Sequence, residues 1–293
     1  MPPFKRFSKI SEGGVAATVS ADTLAETARG EAREPETEEQ RVEDQVRRVA
    51  VVTGAARGIG RGIAERLAAR GDRVVINYLT SKEAAEEAVE AITTAGGEAI
   101  AVGADVRNEE GAQALVTATV EAYGRVDALV CNANVGLAQG SVAEIPWETF
   151  STKVNDELAA AFHPTRAVWQ LMKDQGYGRI VYLAAEASKG PVGADVVAHA
   201  AAKSALISYA KFAAREGAPN GVVANVVSPG LTRTDAVGEA PPDWFSAFEK
   251  RIPAGRAAEP EDVAALVAFF TSKDAGYIAG TVVSVNGGSD MTR

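Results

Sequence analysis

From Arg48 onward, short β-branched runs alternate with helix-length stretches rich in Ala and Glu. The runs are VAVVT (49–53), RVVINY (73–78), DALVCN (127–132), RIVYLA (179–184), GVVANVVS (221–228) and TVVSVN (281–286). A run that is apolar at every position has to be covered on both faces. Antiparallel sheets with one wet face give alternation instead. Strands spaced by helices therefore predict an α/β fold, a Rossmann-like doubly wound parallel sheet, as a single domain over 49–293. Turn chemistry agrees with this reading. Ser81 is expected to cap a helix over 82–95 that ends at Gly96-Gly97, and Gly71 sits where a helix over 60–70 needs its C′ residue.

Residues 1–48 do not follow this pattern. Positions 31–48 (EAREPETEEQRVEDQVRR) hold seven acids and four bases, too little apolar surface to offset the entropy of ordering. They read as a flexible charged extension, or as an arm that orders against a neighbouring subunit. Composition then narrows the function classes. Lys+Arg 30 against Asp+Glu 39 gives a net charge of −9, which argues against nucleic acid as a partner. One Cys excludes a disulfide framework, and one Cys with two His gives no zinc ligand set, so no metal is expected. No apolar run is long enough for a membrane helix, and no signal peptide is recognisable. A soluble cytoplasmic protein is expected.

The first strand runs into Thr53-Gly54-Ala55-Ala56-Arg57-Gly58-Ile59-Gly60 and then directly into an amphipathic helix. Glycines allow a tight turn and a close approach to pyrophosphate, and the helix N-terminus offers free N–H groups. The spacing alone would be weak, but its place after the first strand is the context a dinucleotide loop needs. At the end of the second strand, Asn77 stands where an NAD site usually has an acid for the ribose 2′-OH. Arg57, Ser81 and Lys82 could receive a 2′-phosphate there instead, which predicts NADP(H) as cofactor.

This loop, with Asp105-Val106 after the third strand, Asn155, Lys203, the segment Pro229-Gly230-Leu231-Thr232-Arg233-Thr234 and the ending 256–288, resembles the short-chain dehydrogenase/reductase family. The resemblance covers about residues 48–290 and is closest to 3-oxoacyl-ACP reductases and polyketide ketoreductases. It implies a seven-stranded sheet, and a homodimer or homotetramer, or an assembly with a homologous subunit, built through helices near 157–175 and 199–216. It also implies that Asp105 contacts the adenine and that Asn132-Ala133 lies along the ribose. Pro229, Gly230, Thr232 and Thr234 would hold the nicotinamide end.

The family's catalytic set is a Tyr, a Lys four residues later, a Ser and a relay Asn. Lys203 and Asn155 match the last helix residue and the relay. His199 stands where the Tyr belongs, and the Ser position is Ala185 or, with a one-residue shift, Glu186. The usual Asn-Asn-Ala-Gly reads Cys131-Asn132-Ala133-Asn134. Three readings stay open. His199 and Lys203, at i and i+4, share a helix face, and imidazole near neutral pH could replace the phenol in an NADPH-dependent ketoreductase. Alternatively the chain is a silent NADP-binding partner or sensor. Lastly, Glu186, His199 and Lys203 could run non-redox acid–base chemistry such as dehydration, cyclisation or isomerisation.

Other candidates are expected to be structural. Tyr182 and Tyr209 should pack in the core, Cys131 ends a buried strand, and His163 adjoins Pro164. Ser188 would approach the substrate only if its loop folds back. Trp244, Phe245 and Phe248 suit either a lid over an apolar substrate or a surface helix packed on its own domain. By the resemblance, Gly176 and Asn220 stand where carrier-dependent reductases often have basic residues. A ketone of a bulky, polyketide-like or acyl substrate is expected; a carrier-bound form stays open, and the missing charges favour a free one.

Overall fold

The computed structural model describes residues 47–190, 195–234 and 242–291. The charged extension over 1–46 therefore lies outside the described residues, as does most of the segment before the expected lid helix. Seven strands form one sheet: β1 (Val49–Val52), β2 (Arg73–Tyr78), β3 (Glu98–Gly103), β4 (Ala128–Cys131), β5 (Gly178–Leu183), β6 (Val222–Pro229) and β7 (Val282–Val285). Their order is β3-β2-β1-β4-β5-β6-β7, and every neighbouring pair is parallel. The helices are α1 (Gly58–Ala69), α2 (Lys82–Thr94), α3 (Glu109–Tyr123), α4 (Trp147–Asp174), α5 (Val197–Gly217), α6 (Pro242–Glu249) and α7 (Pro260–Phe270).

The fully apolar strands separate two cores. Ala50, Val52, Val74 and Ile76 face α1, α2 and α7, while Val51, Val75 and Leu129 face α3, α4 and α5. This is the period-2 alternation of a strand with both faces dry. Strand order reverses between β1 and β4, so the loops at their C-terminal ends open a crevice there.

Two local expectations needed adjustment. Helix α1 starts at Gly58, two residues before the expected start. Ser81 occupies the N-cap position of α2, yet its side chain makes no cap bond. Its hydroxyl accepts a hydrogen bond from the Arg57 guanidinium at 2.7 Å instead.

Candidate active site

The glycine loop is built for a close approach. Gly54 takes φ +62°, and a Cβ there would lie 2.8 Å from the Ala133 Cα. At Gly60 a Cβ would meet the Asn132 Nδ2 and the Gly54 carbonyl oxygen, both at 2.5 Å. Arg57, in extended conformation, caps α1 without any side-chain bond, so side chains of the loop leave the first-turn N–H groups for a ligand. Thr234 comes down over the same loop, 3.4 Å from where a Gly58 Cβ would be. These features fit a dinucleotide pyrophosphate, which needs bare backbone and free N–H donors.

Around this cradle lie other residues singled out in the sequence. Asn132 is a brace: its Nδ2 donates to the Thr53 and Gly54 carbonyls at 2.9 and 3.0 Å. Thr53 Oγ1 accepts from the backbone N–H groups of Asn132 and Ala133, at 3.0 Å each. Ala56 is buried, Ile59 packs against the core, and the Val106 side chain is buried within the other core. Asp105 is gripped by Arg107, whose Nε and Nη2 donate to its two oxygens at 2.8 and 2.7 Å. Those hydrogen bonds hold the carboxyl below the usual carboxylate range. Pro229 ends β6, the Gly230 N–H bonds Val285 O, and Thr232 Oγ1 turns back to the Gly230 carbonyl.

Asn77 is a correction. Its side chain is buried, with Oδ1 accepting from the Gly54 N–H and Nδ2 donating to the carbonyls of Tyr78, Val102 and Ala104. It ties β2 and β3 to the glycine loop. Arg57 and Ser81 do meet at the rim of the cradle, whereas Lys82 pairs with Glu86 on the surface.

The catalytic end differs more from expectation. Lys203 is buried, donating to the Leu183 carbonyl at 2.7 Å and pairing with Glu157 Oε1 at 2.5 Å. Glu157 Oε2 in turn pairs with Lys153 at 2.5 Å. Lys153 also donates to Asn134 Oδ1 at 3.1 Å and to the Val135 carbonyl. Burial works to raise the Glu157 carboxyl, but the ammonium groups of Lys203 and Lys153 overcome it and hold the group below its ordinary value. Asn155, expected as the relay, is exposed on α4 and has no side-chain hydrogen bond among the described residues. The reason is helical phase: at about 100° per residue, two positions turn a side chain to the opposite face.

His199 lies four residues before Lys203 on α5 and is half-buried, with Nδ1 buried and unpartnered. Burial, then the charges of Lys203 and Lys153, push its imidazole down to about 4, against an opposing pull from Glu157. It is therefore a neutral ring at pH 7. Glu186 is a second correction. Its Oε1 accepts from Asn286 Nδ2 at 3.0 Å and Ser289 Oγ at 2.7 Å, binding the turn after β5 to the C-terminal segment. Its Oε2 lies beside Gly230, 3.0 Å from where a Cβ of that residue would be.

Ala185 leaves the Ser position without a hydroxyl, and Ser188 Oγ donates to the Ala185 carbonyl within its own turn. Tyr182 is fully buried with its hydroxyl 2.9 Å from Thr165 Oγ1, and Tyr209 stacks on it edge-on. Burial pushes the Cys131 thiol up to about 12, which suits a core residue and not a nucleophile. His163 meets Phe162 edge-on. Phe245 is buried beneath the Arg233 guanidinium, which also pairs with Glu249, so that face of α6 packs on its own domain. The side chain of Trp244 and residues 235–241 lie outside the described residues. Among the described residues no helix is long and apolar enough to cross a membrane.

Sequence reasoning missed Lys153 and Glu157. The signal was present: the buried positions of α4 run 153, 157, 160, 161, 164, 165, 168 and 172, a stripe at helical spacing. A Lys and a Glu four apart at the head of an otherwise uncharged stripe have to meet something inside.

Comparison with known proteins agrees with the geometry. The profile of the family described as "Enoyl-(Acyl carrier protein) reductase" matches residues 54–290. A 3-oxoacyl-[acyl-carrier-protein] reductase of Synechocystis sp. is 37% identical over 227 residues, 77% of this chain and 90% of that protein. The crystal structure of levodione reductase superposes with a TM-score of 0.78 at 31% identity, covering 82% of this chain and 96% of that one. That of YwfH, an NADPH-dependent reductase involved in bacilysin biosynthesis, gives 0.78 at 27% identity over 84% of this chain and 100% of its own. With its seven-stranded parallel sheet, its glycine cradle and these matches, the chain belongs to the short-chain dehydrogenase/reductase family of oxidoreductases.

Proposed function

We propose that the chain is an atypical NADPH-dependent ketoreductase that acts on a bulky or polyketide-like ketone. The observation that carries the reading is the cradle of Gly54, Gly58 and Gly60, with Arg57 and Ser81 together at its rim, in a chain that also holds Lys203 buried at the end of β5. The relatives' names, a 3-oxoacyl reductase, a levodione reductase and an NADPH-dependent reductase, support a carbonyl substrate. A nicotinamide cofactor supplies the hydride when bound, with its pyrophosphate on the first turn of α1.

The chain's own residues then handle charge and protons. Arg57 and the Ser81 hydroxyl receive a 2′-phosphate by charge-assisted hydrogen bonds. Asp105 and Arg107 would hold the adenine, Asn132 and Ala133 the ribose, and Pro229, Gly230, Thr232 and Thr234 the nicotinamide end. Neutral His199 donates a hydrogen bond to the carbonyl oxygen, as a neutral imidazole can when its pKa is lowered. As the oxygen gains charge it takes the proton of the ring N–H, and solvent water, which reaches the half-buried ring, returns a proton to the ring so that it ends the cycle neutral. Lys203 lends positive charge beside this step, as preorganised electrostatic stabilisation requires. The Ser hydrogen bond that Ala185 lacks leaves the alkoxide less well held, so turnover is slow.

Helices α4 and α5 leave Phe162 and Phe212 exposed along a groove that includes Leu158 and Tyr209, which supports a homodimer or homotetramer through that face. A second reading, a silent nucleotide-binding subunit, is favoured by the neutral His199 and by Ala185. Residues 1–48 are read as an extension outside the catalytic domain.

Titration with NADPH and NADH, followed by nicotinamide fluorescence, tests the reading. NADPH should bind at least about tenfold tighter, and Arg57→Ala should erase that preference, the loss of one charge-assisted contact. NADPH consumption with cyclic diketones and 3-oxoacyl thioesters then separates the two readings. Binding without turnover leaves the silent subunit, and no binding of either nucleotide ends both.

A further inference from the structure

We propose that Glu157, itself anchored by Lys153, is the positioning residue that aims the Lys203 ammonium in this cleft. This rests on the reading of the cleft as a reductase site. The argument is a count of donors and acceptors. An ammonium has three N–H bonds and no acceptor. Lys153 spends its three on Asn134 Oδ1, the Val135 carbonyl and Glu157 Oε2, and its side chain is 1% exposed. Lys203 spends two, on Glu157 Oε1 and the Leu183 carbonyl, and has one left among the described residues. Glu157 has both oxygens engaged by opposite ammonium groups, with the Val135 N–H a further 3.4 Å donor to Oε2.

The remaining Lys203 N–H has one direction open to it, because the carboxylate and the Leu183 carbonyl fix the other two. An amide in place of Glu157 could accept from the ammonium but could not hold it by charge. Lys153 adds a second task. It grips Asn134 and Val135, the root of the loop that follows β4, and farther along that loop the Gly140 N–H bonds the Asp195 carbonyl just ahead of α5. One buried carboxylate thus links the position of Lys203 to the wall of the crevice where the substrate must pass.

The test compares Lys153→Met with the double variant Lys153→Met/Glu157→Gln. The double variant removes one positive and one negative charge and keeps the local balance. Each protein is assayed for ketone reduction, for melting temperature and for the rate at which a water-soluble acylating reagent labels Lys203, read by peptide mapping. Lys153→Met loses the loop anchor but keeps the Glu157–Lys203 pair, so KM for the ketone rises several-fold and Lys203 stays protected. In the double variant Lys203 is labelled several-fold faster and kcat falls further by about tenfold or more, the cost of a misplaced catalytic group. Equal labelling of Lys203 in the two variants, at comparable melting temperatures, overturns the proposal. If the parent reduces no ketone, the reductase reading falls and the labelling comparison still decides this one. Should the double variant fail to fold, Glu157→Asp keeps both charges and shortens the reach. Faster labelling of Lys203 there supports the proposal, and unchanged labelling refutes it.

Discussion

Lowering the pH should destabilise the protein through His199, well before most carboxylates respond. The folded ring titrates at about 4 against 6.5 for an unperturbed histidine, pushed down by burial and then by Lys203 and Lys153. Between those values the unfolded chain binds a proton that the native state refuses, so stability falls as pH drops from 6.5 towards 4 and is unaffected above 6.5. A gap of about 2.5 units at about 1.36 kcal/mol per unit gives roughly 3.4 kcal/mol as a ceiling. The ring is half-buried, and screening by solvent brings the expected loss to about 2 kcal/mol. Glu157, whose pKa is lowered, adds a loss of the same sign only below its own ordinary value.

Urea unfolding of the parent and of His199→Gln, at steps from pH 7.5 to pH 4, isolates the His199 contribution. The parent should lose about 2 kcal/mol relative to the variant across the window. The chain has two histidines, so NMR titration with the variant as assignment control reads the ring directly. A midpoint near 6.5, or a parent-minus-variant difference that stays flat with pH, refutes the reasoning. A midpoint near 6.5 would also make an imidazolium available as the acid, because a ring with a midpoint of about 4 is protonated in only about one molecule in a thousand at pH 7.

Two further outcomes follow from packing. Gly60→Ala places a Cβ 2.5 Å from both the Asn132 amide and the Gly54 carbonyl. The loop must open, and NADPH affinity should drop by at least about tenfold in a fluorescence titration, since backbone approach is what the cradle supplies. Thr165→Val leaves the fully buried Tyr182 hydroxyl without its 2.9 Å partner. That should cost about 1–3 kcal/mol in chemical denaturation, the penalty of an unsatisfied buried polar group, with little effect on nucleotide binding.

How far the sequence carried this picture depended on whether a residue's role is set by order along the chain or by helical phase. Strands such as Val49–Val52 and Val222–Pro229 were legible because burial on both faces demands unbroken apolar runs. The cradle was legible because glycine spacing, the first strand and the first helix all point to one loop. Lys203 was legible by its matched position in the family pattern. Asn155 was misplaced by the same method: a match in spelling fixed the residue, while the buried stripe of α4 put Glu157 and Lys153 inside and Asn155 outside. Glu186 was brought to the site by a one-residue shift in the alignment, but the 3₁₀ turn Glu186–Ser188 rotates it to Asn286 and Ser289 instead.

Asn77 shows how a sound inference can rest on the wrong atom. The absence of an acid at the end of β2 suggested a site that spares a 2′-phosphate. In the fold, the Asn77 amide donates to the carbonyls of Tyr78, Val102 and Ala104 while its oxygen accepts from Gly54. An aspartate there would turn an acceptor-only group against those carbonyls in a buried place. Packing alone therefore disfavours the acid at position 77. What remains is the contact between Arg57 and Ser81, a cation and a hydroxyl held 2.7 Å apart at the rim of the cradle. Arg57 has no carboxylate partner among the ion pairs of the described residues, and a 2′-phosphate would supply one. The proposed NADPH preference therefore rests on Arg57, and it should disappear with that side chain whatever stands at 77.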